Sequence, residues 1–244
     1  MSQVIMITSG KGGVGKSSAC VLLGAALGRL GKKVLVLELD SGLRSLDLMM
    51  GLQDQVTYDI QDVLLGRCEP IRAIFSCEYC ANLFLMPATS VLDAGIAQED
   101  IVRLCRGLSG YFDFVLLDSP AGVGATFEAA ARACSQAILV VTPDPVSVRD
   151  GAIVSGLLEE LDVGRQRLII NRVRTNLEKL SLVPDLDRVI DTVGVQLLGV
   201  VPDSDLLLRA IAGGKALPEK SLPGRVYQNI ARRILGKYVK LAVQ

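Results

Sequence analysis

Gly10, Gly15, Lys16 and Ser17 stand at the spacing G-x-x-x-x-G-K-[ST], which brings three ways of holding phosphate into one short stretch. Glycines let backbone N–H groups curl round phosphate oxygens with no Cβ in the way. Lys16 offers a point charge to the β and γ phosphates, and the Ser17 hydroxyl offers Mg²⁺ one oxygen ligand. Two carboxylates downstream belong to the same chemistry. Asp118 closes an apolar run and would hold Mg²⁺ through water, while Asp40 closes another and is suited to orienting or activating water. The plainer alternatives are a glycine-rich turn that merely begins a helix and an aspartate that merely caps one.

These residues need elements to carry them. Residues 4–8 read as a buried strand and residues 17–30 as a packed helix, the strand–loop–helix setting that a phosphate loop requires. The helix adds the positive end of its dipole. Residues 34–40 and 112–118 are apolar strands that end in Asp40 and Asp118. Functional residues of parallel sheets lie just past the carboxyl ends of the strands, so both aspartates fall on the edge that carries the phosphate loop. Further strands are expected at 82–88, 137–143, 168–173 and 197–203, and helices at about 58–65, 70–75, 98–110 and 147–161. The expectation is an α/β fold, a single P-loop NTPase domain over residues 1–244, with a mostly parallel twisted sheet and helices on both faces.

Half of the 244 residues are hydrophobic and mean hydropathy is +0.42, which suits a sheet buried on both faces. No apolar run approaches the roughly 18 residues needed to span a bilayer. No basic region leads into a cleavable apolar segment, so the chain reads as cytoplasmic. The 26 basic residues balance 26 acidic ones, and this neutral balance argues against nucleic acid as a partner. Six cysteines in such a chain do not suggest a disulfide framework. Cys20, Cys68, Cys105 and Cys134 read as small apolar residues of helical segments. Cys77 and Cys80 have C-x-x-C spacing, but with no second pair and no histidine another subunit would have to complete a metal site.

Lys11 is not demanded by the generic loop. The stretch Lys11-Gly12-Gly13-Val14-Gly15-Lys16-Ser17-Ser18 resembles the deviant phosphate loop of the MinD/ParA family of dimerising ATPases, a loop shared with the nitrogenase iron protein and the arsenical-pump ATPase. The resemblance runs from Val4 to about Ala242. It includes Asp40 to Gly51, similar to the D-x-G-L-R-N-L-D switch with Ser45 in the asparagine's place, and Asp118 to Gly122, Ser147 to Asp150, Asn171-Arg172 and Pro202-Asp203. It implies ATP and ADP with Mg²⁺ as ligands, and an ATP-bound homodimer in which Lys11 reaches the partner's phosphates. Gly10 to Ser18 would cradle the phosphates. Ser17, Asp40 and Asp118 would lie at the metal, with Lys11, Lys16 and Asp40 catalytic. Asn171 and Arg172 would meet the adenine, an edge to which Asn can both donate and accept, and Pro202-Asp203 would close over it.

The process implied is septum placement, with MinC/MinE-like regulatory partners and peripheral attachment to an anionic membrane on the inner face of the cell. Arg149 and Asp150 read equally well as a partner surface or a solvated first turn. Val226, Ile230, Ile234, Tyr238 and Leu241 recur at helical spacing, with Arg225, Arg232, Arg233, Lys237 and Lys240 between them. The reading favoured is a last helix packed on the sheet, with no separate amphipathic tail beyond it; a basic face turned to lipid stays open. Alternatives within the fold are a ParA-like partition ATPase, a flagellar-number regulator and a redox protein of the nitrogenase type.

Overall fold

The computed structural model describes residues 2–41, 44–89, 97–174 and 185–241. Apolar runs become strands β1 Gln3–Thr8, β2 Val34–Glu38, β3 Phe75–Ser76, β4 Leu83–Met86, β5 Phe114–Asp118, β6 Gln136–Val141, β7 Gln166–Val173 and β8 Leu197–Pro202. The stretches between them form α1 Lys16–Arg29, α2 Leu46–Met49, α3 Ile60–Leu64, α4 Gln98–Leu108, α5 Ala125–Ala133, α6 Pro145–Glu160, α7 Leu186–Val193, α8 Asp205–Ala212 and α9 Leu222–Ile234, with a 3₁₀ turn at Pro70–Ala73.

The strands make one sheet in the order β3-β4-β2-β5-β1-β6-β7-β8, parallel except for the antiparallel pair β3–β4. Successive side chains of a strand face opposite ways. Ile5, Ile7, Val34, Val36, Leu116 and Val140 therefore pack beneath α1 and α9, while Met6, Leu35, Leu37, Val115, Leu139 and Ile170 pack against α4 to α7. Two apolar layers, each about as wide as the sheet, explain the chain's high hydrophobic content.

Strand β1 lies between β5 and β6, with Ile7 in register with Asp118, and Glu38 of β2 is likewise in register with Asp118. The loops after β1, β2 and β5 thus emerge side by side at the carboxyl edge, where open α/β sheets place their ligands. Helix boundaries differ from the pattern-based expectation by a few residues. Helices α2, α5, α7 and α8 are additions to it. Helix α9 stops at Ile234, and Gly236 follows at φ 78°, so Tyr238 and Leu241 do not continue its stripe. Among the described residues, no helix is long and apolar enough to cross a membrane.

Candidate nucleotide site

The loop after β1 enters α1 through Gly15, the N-cap, at φ 93°, and Gly13 also has a positive φ of 78°. No side chain caps α1 and no acid lies in its first turn. Its leading N–H groups therefore face an anion-sized position with the helix dipole behind them. Gly10 is held by close approach, because a Cβ there would stand 2.5 Å from the Asp150 carbonyl oxygen of α6. Asp150 therefore braces the loop, and its neighbour Arg149 is exposed and ion-paired with it at 3.0 Å.

Lys16, Ser17, Asp40 and Asp118 converge. The Lys16 ammonium donates to Asp118 Oδ1 at 2.7 Å and to Ser17 Oγ at 3.3 Å, and lies 3.5 Å from Asp40 Oδ2. Asp118 is completely buried, and its Oδ2 has no hydrogen-bond partner. Burial pushes its carboxyl above the ordinary value, against the pull of the Lys16 ammonium and the Ser17 hydroxyl, with Asp40 adding repulsion. An orphaned buried carboxylate oxygen beside a hydroxyl is a donor set that fits a hard divalent cation, directly or through water. Asp40 caps no helix, since α2 begins at Leu46 with Ser45 as its N-cap. Gly42 and Leu43 of the switch motif lie outside the described residues.

Beside this cluster is a cleft of about 550 Å³ lined by Lys11, Gly12, Gly13, Val14, Arg172 and Asp203, among others. It brings together expected residues that are far apart in the chain. Pro202 ends β8, and Asp203 meets Arg174 at 3.6 Å. The Asn171 amide is buried and donates from Nδ2 to the Val14 carbonyl at 2.7 Å, with Gly15 leaving room for it. Only the amide nitrogen can serve a carbonyl, so the remaining Oδ1 is an acceptor. Lys11 pairs at 3.6 Å with Asp144, the N-cap of α6, which also accepts from the Thr142 hydroxyl and the Ser147 N–H. Burial pushes the Asp144 carboxyl up, but those three groups outweigh it and hold the carboxyl below its ordinary value. Asp144, Thr142, Arg174 and Glu38 escaped the sequence reading. Asp144 did have a signal, an acid directly before a proline that opens a helix.

Cys77 and Cys80 are buried, each with its thiol on a backbone carbonyl, of Met50 and Ala25 respectively. Burial raises both thiols, and among the described residues no three His, Cys, Asp or Glu side chains gather as a metal-holding group. Cys20 and Cys105 are buried within helices as expected, whereas Cys68 and Cys134 lie just beyond helix ends.

Comparison with known proteins shows a nucleotide-binding family. The model of the CobQ/CobB/MinD/ParA nucleotide binding domain matches residues 5–217. A septum site-determining protein MinD from Synechocystis sp. is 40% identical over 241 residues, covering 97% of this chain and 91% of that protein. Its counterpart in Bacillus subtilis is 40% identical over 248 residues, covering 100% and 92%. Among solved structures, the MinC:MinD cell division protein complex of Aquifex aeolicus matches with TM-score 0.89 and 35% identity over 98% of both chains. The septum site-determining protein MinD of Pyrococcus horikoshii, complexed with Mg-ADP, matches with TM-score 0.84 and 26% identity over 96% of both.

Proposed function

Because the chain belongs to the CobQ/CobB/MinD/ParA family of nucleotide-binding domains, whose MinD and ParA members are ATPases, we propose that it is a Mg-ATP-dependent dimerising switch of the septum-placing kind. The observation that carries this reading is the meeting of Lys16, Ser17, Asp40 and the half-satisfied Asp118 beside an open helix N-terminus.

Gly10 to Ser18 wrap the phosphates with backbone N–H groups, and Lys16 exchanges its Asp118 contact for phosphate oxygens. Ser17 and Asp118 would hold Mg²⁺, which would offset phosphate charge. Asp40 orients a water molecule for in-line attack on the γ-phosphorus; the water's oxygen bonds to phosphorus as the bond to the bridging oxygen breaks, and its proton passes to Asp40 or phosphate. Lys11 leaves Asp144 for the partner subunit's nucleotide. The fixed Oδ1 of Asn171 accepts from the amino group of adenine and repels the carbonyl of guanine, which favours ATP. Arg172 and Asp203 wall the base cleft, and Pro202 leads into Asp203 from the end of β8.

Dimers formed with ATP then bind regulatory partners, as the Aquifex protein is seen with MinC, and reach an anionic membrane. The α9 stripe is engaged with the sheet, so lipid contact falls to Lys237, Tyr238, Lys240 and Leu241, where Tyr238 is 93% exposed. Asp40→Asn is expected to keep ATP-dependent dimers, measured by light scattering, while single-turnover hydrolysis is lost. Hydrolysis at the parental rate would sink the assignment. Co-sedimentation with anionic vesicles in ATP but not ADP is the expected membrane result, and absence of binding in both would leave the ATPase switch but remove the lipid surface from it.

A further inference from the structure

Glu38 ends β2 and is completely buried, and among the described residues its hydrogen bonds go to segments other than the phosphate loop. Its Oε1 accepts from the N–H groups of Ser45 at 2.9 Å and Leu46 at 3.1 Å, and its Oε2 accepts from the N–H of Ala88 at 3.1 Å. Among the described residues no Lys or Arg pairs with it. A carboxylate buried without a cation is costly unless donors converge on it. Here three do, from two segments far apart in the chain. Ser45 and Leu46 open α2, so Glu38 satisfies N–H groups that helix geometry leaves free, and Ala88 lies just past β4.

Asp40 lies within the loop that this side chain closes. Its own anchoring is slight, since its side chain is 45% exposed and its one ion pair among the described residues is the 3.5 Å approach of Lys16. The far end of the loop is fixed twice, by Glu38 and by the Arg44–Asp47 ion pair at 2.8 Å. Behind the loop is a cavity of about 120 Å³ lined by Glu38, Ser41, Ile60, Ala88 and Ala125.

We infer that Glu38 is a positioning residue for hydrolysis: its carboxylate clasps the start of α2 and the end of β4, and so fixes where Asp40 presents its oxygens. The inference rests on the reading of Asp40 as the group that orients water. It does not follow from the phosphate-loop pattern, because the partners are backbone N–H groups.

Glu38→Gln keeps the shape but turns an amide N–H₂ towards one set of donors. Single-turnover ATP hydrolysis is expected to fall about tenfold or more, on the scale by which small misplacements cost rate. ATP affinity, measured on the intact chain with a fluorescent analogue, should stay within about twofold, as expected for lost positioning without lost ground-state binding. Glu38→Asp, which keeps the charge, should recover part of the rate. In the parent protein the amides of Ser45, Leu46 and Ala88 should exchange with solvent as slowly as those of the strands, and in Glu38→Gln these three should speed up while the strands stay protected.

The proposal is overturned if Glu38→Gln hydrolyses ATP at the parental rate while Asp40→Asn does not hydrolyse it. It is equally overturned if the parent's Ser45 and Leu46 amides exchange like an open loop, a result that needs no variant to fold. Normal hydrolysis by Asp40→Asn would bring down the reading of Asp40, and the exchange data would still decide whether the clasp exists.

Discussion

Lys16 pairs with a buried carboxylate in the fold and, on the function proposed above, serves a phosphate, so its removal has two consequences. Lys16→Ala should abolish measurable ATP binding in calorimetry. It should also destabilise the protein by about 3 kcal/mol in denaturant titration, because Asp118 is left buried and without its cation. Unchanged stability would mean that Asp118 finds another donor. Glu38 makes a different prediction. Burial, reinforced by Asp118 and only partly relieved by three N–H groups, pushes its carboxyl above the ordinary 4.5. The folded form therefore holds its proton more tightly than the unfolded form, and the resulting stability is present below pH 4.5 and lost as pH rises through the raised value. The stability advantage of the parent over Glu38→Gln should shrink as pH rises above 4.5, and an advantage that grows would contradict the placement. Gly10, Gly15, Lys16, Ser17 and Asp118 were legible because phosphate and Mg²⁺ chemistry demands side chains, or their lack, at set spacings. Glu38 was not, because nothing in a side-chain pattern announces that three backbone N–H groups will meet.

The elements were legible wherever length and apolarity were unambiguous. β1, β2, β5, β6, β7 and β8 all fall on runs that periodicity marks as buried. The two-residue β3 and the short helices α2, α5, α7 and α8 were missed because brief segments take their form from packing more than from propensity. Helix α9 had two readings, and its contacts separate them: Val226, Ile230 and Ile234 are buried, whereas Tyr238 is exposed. Ile230→Ala should cost about 3 kcal/mol in denaturant titration, the usual effect of a core truncation. Tyr238→Ser should leave stability unchanged while weakening vesicle binding in ATP. Equal loss of stability from both would mean that the terminal segment packs as part of the core.

For the whole molecule, ligand and fold are thermodynamically linked. ATP binding only the native form should raise stability by about 2.7 kcal/mol at a hundredfold excess over Kd. If ATP also joins two copies, the melting temperature should rise further with protein concentration in ATP and stay constant in its absence. A melting temperature independent of protein concentration in both states would count against dimerisation.

The margins of the sheet bear on how such assembly occurs. One margin is only the two-residue β3, and at the other the six-residue β8 ends in Pro202, with its Leu198 carbonyl taken by the Arg233 guanidinium. Neither offers the long row of unpaired N–H and C=O groups that an extended peptide needs in order to add a strand. Recognition by backbone zippering is thereby discouraged at both margins, as is the irreversible sheet fusion it invites. On the switch reading proposed above, association falls to side-chain surfaces, which separate more readily than paired strands.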